Sequence, residues 1–169
     1  MSIMVKLYGA LREKVNAPDL EKGLPLTLNI ESNGIHRVLD IFDKLIIEEE
    51  EISHIFVNGK YCGVGKEVRD GDRVGIFPIK MSIMFVEIPD LNSIYVLVKL
   101  FAGLRKYNVP KYVIKMPEGS TVKFILKKLK IPEEEKRLIF MVNGLPHHDS
   151  NFVIEANDTL AIFPLIAGG

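Results

Sequence analysis

"VKLFAGLRKY", Val98–Tyr107, is a second writing of a decapeptide already present at Val5–Lys14, "VKLYGALREK". In the later copy Val98 and Leu100 alternate with Lys99 and Phe101, the period-two pattern of a strand. The echo continues in the same order. "IFVNGKY" (Ile55–Tyr61) is answered by "FMVNGLP" (Phe140–Pro146), and "VRDGDRVGIFPIK" (Val68–Lys80) by "IEANDTLAIFPLI" (Ile154–Ile166). Ordered matches, each in a single register, identify a tandem duplication of a unit of roughly 75 to 85 residues, with too few copies for a solenoid. We read residues 1–80 as a first domain and 95–169 as a second. Residues 81–94 form a linker in which "IMFVEI" is a candidate strand. The first copy carries several extra residues between Arg12 and its Val-Asn-Gly turn, which we place around the acidic "IIEEEEIS". That run reads as a solvated loop or a frayed helix end.

Each unit follows one plan. A second strand, "LTLNI" or "YVIKM", comes after the first. A helix follows: Val122, Ile125, Leu126 and Leu129 share one face behind Ser120 or Thr121 as N-cap. In the first copy Ile35, Val38, Leu39 and Phe42 repeat the spacing behind Ser32 or Asn33. Lys127, Lys128 and Lys130 crowd the end of the second helix, where cations suit the negative end of the dipole. A strand into Val-Asn-Gly, then a closing strand behind a Gly-Asp or Asn-Asp turn, completes the unit. The expected fold class is α+β: two tandem domains, each a mixed sheet packed on one main helix.

The 169 residues, 47% hydrophobic and 26% charged, have the composition of a soluble globular protein. Lys99 interrupts the best apolar run, "SIYVLVKLFAG", so no membrane partner is expected. The opening "MSIMVKLYGA" lacks a secretory pattern, and a single cysteine fits a reducing cytoplasm. Residues 1–94 hold 11 Lys and Arg against 15 Asp and Glu, a net −4, and residues 95–169 hold 11 against 7, a net +4. A chain of zero overall charge is a poor general nucleic-acid binder.

The end of the chain, "LAIFPLIAGG" (Leu160–Gly169), stays apolar up to Ala167 and then presents Gly168 and Gly169, whereas an idle tail tends to turn polar. Taken with "VKLFAGLRKY", "PEGSTVKFILKKL" and "VNG", this ending resembles the β-grasp fold of ubiquitin. It resembles more closely the small sulfur carriers: the small subunit of molybdopterin synthase and the thiamine sulfur carrier. The Phe-Pro-x-x-Ala-Gly-Gly ending is more similar to the molybdopterin branch. The likeness spans Val96–Gly169, and Val5–Lys80 with one departure: Met81-Ser82-Ile83 stands where a terminal glycine pair would be.

The resemblance implies a co-substrate rather than a stand-alone enzyme. Gly169, with Gly168 before it, would be adenylated by a ubiquitin-activating-like adenylyltransferase that uses ATP, the carrier itself binding no cofactor. A thiocarboxylate would follow, donating its sulfur with a molybdopterin synthase large subunit or another acceptor. Phe163, Pro164, Leu165, Ile166 and Ala167, with Phe101 and Arg105, are the expected partner-binding residues. A ubiquitin-like modifier conjugated through Gly169, a thiamine-type carrier and an interaction domain with an idle tail are the alternatives.

Other residue types invite other chemistry. "PHHDS" (Pro146–Ser150) offers two histidines, but adjacent strand residues point to opposite faces, so a polar loop and no metal is expected. Cys62 has no histidine in a recognisable motif, and "GVGKE" lacks phosphate-loop spacing and reads as a hairpin turn. Arg12 and Arg105, in matching positions, suit a partner carboxylate or a surface salt bridge within the domain. Phe101 and Phe163 suit an exposed docking patch or the core.

Overall fold

The structure, a computed structural model, describes residues 1–16, 24–79, 93–132 and 138–165. The chain divides into two compact units, Met1–Asn92 and Ser93–Gly169. The first holds β1 (Ser2–Leu7), β2 (Leu26–Glu31), α1 (Val38–Leu45), β3 (Ile52–Val57), β4 (Lys60–Cys62) and β5 (Arg73–Pro78). The second holds β6 (Ser93–Leu100), β7 (Lys111–Pro117), α2 (Val122–Lys128), β8 (Leu138–Val142), β9 (Leu145–His147) and β10 (Thr159–Pro164). The candidate linker strand "IMFVEI" lies outside the described residues.

Each unit has a five-stranded mixed sheet, ordered β2-β1-β5-β3-β4 in one and β7-β6-β10-β8-β9 in the other. The first and last long strands of each run parallel at the centre, Val5 beside Val74 and Val98 beside Leu160, and the remaining pairs are antiparallel. These are two tandem ubiquitin-like domains. Alternation sets which face is buried: Ile3, Val5 and Leu7 of β1, like Ile94, Val96, Val98 and Leu100 of β6, all point into a core. Val38, Ile41 and Phe42 of α1, and Val122 and Ile125 of α2, close those cores from the helix side. Leu39 and Leu126 are only partly buried, and the spacing drawn from the sequence passed over Ile41, which is fully buried.

The start of α1 differs from the sequence reading, and that of α2 falls on Thr121, one of the two expected cap positions. Arg37 is the N-cap residue of α1, and the capping carboxylate is Asp40, which accepts the backbone N–H groups of His36 and Arg37 at 2.8 Å each. Thr121 takes the cap position of α2 but makes no capping bond through its side chain, and Ser120 Oγ donates instead to Pro117 O at 2.7 Å. The first amides of both helices find distant carbonyls. Val38 and Leu39 donate to Lys66 O and Val64 O, and Val122 and Lys123 donate to Phe152 O and Ser150 O. "GVGKE" is thus a turn whose carbonyls cap a helix.

The extra residues of the first copy are also elsewhere. From helix to third strand the first copy is the shorter one, Leu45 to Ile52 against Lys128 to Leu138. The surplus lies between Lys14 and Leu26, where the second copy needs only the step from Lys106 to Lys111. Part of the acidic run forms an ordered 3₁₀ turn, Glu49–Glu51. Glu51 accepts Lys14 Nζ at 2.8 Å and Glu48 N at 3.0 Å, and these bonds, the lysine's first, hold its carboxyl below the usual range.

Candidate functional site

β10 is the last strand of the second unit, and residues 166–169 follow it in the sequence. β10 is the middle strand of its sheet, held by β6 as far as Ile162 and by β8 as far as Pro164. Leu160 and Ile162 enter the core, so Ala161 and Phe163 belong to the face turned away from α2. Phe163 stacks on Phe101 with ring centroids 4.1 Å apart and planes at 15°. Phe101 N donates to Ile162 O at 3.2 Å, extending the parallel pairing one residue past β6. The two phenylalanines are half-buried and form a platform beside the strand exit, neither core residues nor a fully exposed patch.

A 3₁₀ turn, Ala102–Lys106, follows Phe101 and is pinned by buried Leu104. Arg105 stands exposed on this turn, its Nε donating to Leu100 O at 3.4 Å, and it has no carboxylate partner among the described residues. Its first-unit counterpart Arg12 braces local backbone, donating from Nε to Gly9 O at 3.1 Å and from Nη1 to Leu24 O at 2.9 Å. Past Pro164, Leu165 is 47% exposed. Ile166, Ala167, Gly168 and Gly169 lie outside the described residues. The structure therefore brings Phe101, Arg105, Phe163, Pro164 and Leu165 to one end of the sheet.

The register that delivers the tail is fixed by a clasp that sequence reading noted only as turns. Asn143 sits in the left-handed region at φ 50°, donates from Nδ2 to Asp158 Oδ1 at 2.7 Å, and accepts Thr159 N at 2.9 Å. Asp158 also accepts Glu155 N at 2.9 Å. Asn58, Asp72, Arg73 and Arg69 repeat the same bonds in the first unit. Asparagine tolerates the left-handed conformation and supplies both a donor and an acceptor, which explains the recurring Val-Asn-Gly.

Among the described residues no three His, Cys, Asp or Glu side chains are grouped to hold a metal. His147 closes β9, its ring 3.9 Å from that of Phe152, and so belongs to a short strand and not to a loop. Cys62 is buried, its Sγ donating to Ile55 O at 3.8 Å. No described helix is long and apolar enough to cross a membrane.

Two family models match the chain, one on each half. Residues 98–169 match the ThiS family, and residues 1–84 match Mut7-C ubiquitin. No curated protein matches. Similar solved structures include a protein provisionally assigned as molybdopterin converting factor, subunit 1, from Pyrococcus furiosus, at 24% identity and TM-score 0.36, covering 43% of this chain and 99% of the other. SAMP1 from Haloferax volcanii is 21% identical with TM-score 0.38, covering 44% and 99%. The small archaeal modifier protein 1 of Methanosarcina acetivorans is 23% identical with TM-score 0.36, covering 46% and 99%.

Proposed function

We propose that this chain, a tandem of two ubiquitin-like domains of the sulfur-carrier kind, carries sulfur as a thiocarboxylate on Gly169 and donates it in molybdopterin assembly. The supporting observation is that the central strand of the second unit leads into Leu165 beside an aromatic platform, and the ThiS match runs through the glycine pair beyond it.

A carboxylate resists nucleophiles because it is already negative and oxide is a poor leaving group. Forming a mixed anhydride with AMP, at the expense of ATP and with release of pyrophosphate, removes both obstacles. A persulfide sulfur then attacks the carbonyl and AMP leaves. A thiol then attacks the outer sulfur of the resulting acyl disulfide, forming a new disulfide with the donor and leaving the thiocarboxylate. Gly168 and Gly169, without side chains, can thread the narrow channel of an adenylating enzyme. Ordering each costs about 1–2 kcal/mol of backbone entropy, and burial of Leu165 and Ile166 against the partner offsets it. Pro164 limits the freedom of the tail base. The platform of Phe101 and Phe163, with Arg105 on the turn that follows it, gives the adenylating enzyme and the sulfur acceptor a common docking place. All the chemistry resides in the main-chain end, so the chain is a co-substrate and ATP is bound by its partner.

Deleting Gly168 and Gly169 in native cells tests the reading. Cofactor synthesis should stop while the folded protein persists, and an unchanged cofactor level would refute it.

A further inference from the structure

We infer that the first unit docks the same adenylating partner as the second, so that one chain occupies two docking sites and only one is loaded. The inference rests on the carrier reading above. It comes from comparing the outer sheet faces position by position. At the strand exit the two units agree closely. Tyr8 stacks on Phe77 at 4.0 Å and 12°, matching Phe101 on Phe163 at 4.1 Å and 15°. Tyr8 N donates to Ile76 O at 3.2 Å, as Phe101 N does to Ile162 O at 3.2 Å. Lys6 lies beside Gly75 as Lys99 lies beside Ala161. Arg12 and Arg105 both turn Nε onto a nearby carbonyl. Beyond the strand ends, Ile79 is 56% exposed and Leu165 is 47% exposed.

Elsewhere on the same face the copies diverge. Asn29 beside Met4 answers to Val113 beside Leu97, and Glu31 beside Ser2 answers to Lys115 beside Tyr95. Selection for stability alone would hold the buried positions and let the exposed ones drift evenly. The divergence reaches the strand beside the platform, where His54 and Phe56 answer to Ile139 and Met141, while the stacked pair, the arginine and an exposed aliphatic residue past the strand end, which adds nothing to the core, are retained.

The first unit has nevertheless lost the means to react. The chain continues through Met81-Ser82-Ile83 where the glycines would be, leaving no carboxyl end to adenylate. Its strand end is also clasped: Ser53, set between Ile52 and His54 where the register shifts, donates from Oγ to Phe77 O at 3.2 Å and Pro78 O at 3.0 Å, whereas β8 pairs with the end of β10 through consecutive residues, Leu138 and Ile139, with no such insertion. The first unit is thus a binding copy without chemistry, and the chain is held by two contacts while one tail is processed, which raises the effective concentration of that tail.

The test uses the full chain and the adenylating enzyme that acts on it. Enzyme sites per chain are counted by titration calorimetry, and sulfur on Gly169 is read by mass in the same samples. The native chain should fill two sites. Ile79→Glu, at an exposed position and checked for folding by circular dichroism, should fill one and still acquire sulfur. Leu165→Glu should fill one and acquire none. A native chain that fills one site while gaining sulfur overturns this inference and leaves the carrier reading standing, as does a count of two that survives Ile79→Glu combined with Tyr8→Ala. A native chain that fills two sites but never gains sulfur overturns the carrier reading and leaves the shared dock standing.

Discussion

Exchanging Ala102 and Gly103 should stabilise the second unit, although it adds no contact. The 3₁₀ turns of the two copies differ in residue order, Gly9-Ala10 against Ala102-Gly103, while both open on a left-handed residue. Gly9 has φ 54° and Ala102 has φ 50°. The second copy therefore places a Cβ in the left-handed region, at a cost of about 1–2 kcal/mol. Ala102→Gly relieves that strain but gives back about 0.5–1 kcal/mol through the greater freedom of glycine in the unfolded chain. A Cβ at Gly103 meets nothing within 4 Å, and its φ lies outside the left-handed range. Gly103→Ala should then return about 0.4–1 kcal/mol. The double variant should gain about 1–2 kcal/mol over the native protein. Urea denaturation followed by NMR signals resolved for each unit measures it, since the units need not unfold together. The reverse exchange at Gly9 and Ala10 should destabilise the first unit by a similar amount. A neutral or destabilising result for the Ala102/Gly103 exchange would refute the strain argument.

Asn143→Ala removes two hydrogen bonds, one to a carboxylate, and leaves alanine at positive φ; a loss of about 2–4 kcal/mol in the second unit is expected by urea denaturation, and less for Asn143→Gly. Ile125 is fully buried in the second core, so Ile125→Ala should cost about 2–5 kcal/mol in the same assay. Burial pushes the Tyr112 phenol up to about 12. An unfolded tyrosine ionises near pH ~10, so between that pH and about 12 the unfolded chain releases protons that the native one keeps, and stability should fall as pH rises. Thermal melts across this range should show the slope weakened in Tyr112→Phe.

Alternation in "SIMVKL" and "SIYVLVKL", and its recurrence, was enough to assign the central strands and the duplication, because a half-buried strand writes its burial into every second residue. Apolar spacing locates both helices and places the start of α2 at Thr121, but it puts the start of α1 too early. Ser32 and Asn33 have the right side chains, yet the capping carbonyls come from Val64 and Lys66, far along the chain, where no local rule can see them. β4 and β9, three residues each, are too short to show a period, and the 3₁₀ turns have no apolar signature beyond Leu11 and Leu104. At the candidate site, Phe101 and Phe163 were visible as a pair of aromatics, but not their stacking, which depends on a parallel pairing of strands far apart in sequence. The role of Asn143 was likewise hidden, because its partner Asp158 belongs to a different turn.

The most direct test of the account is chemical. The full chain is incubated with ATP, its adenylating enzyme and a sulfur source, and the peptide ending in Gly169 is weighed. The account predicts sulfur in place of one terminal oxygen, formed only when ATP is present. A terminus that remains an ordinary carboxylate in the presence of an active adenylating enzyme would contradict it.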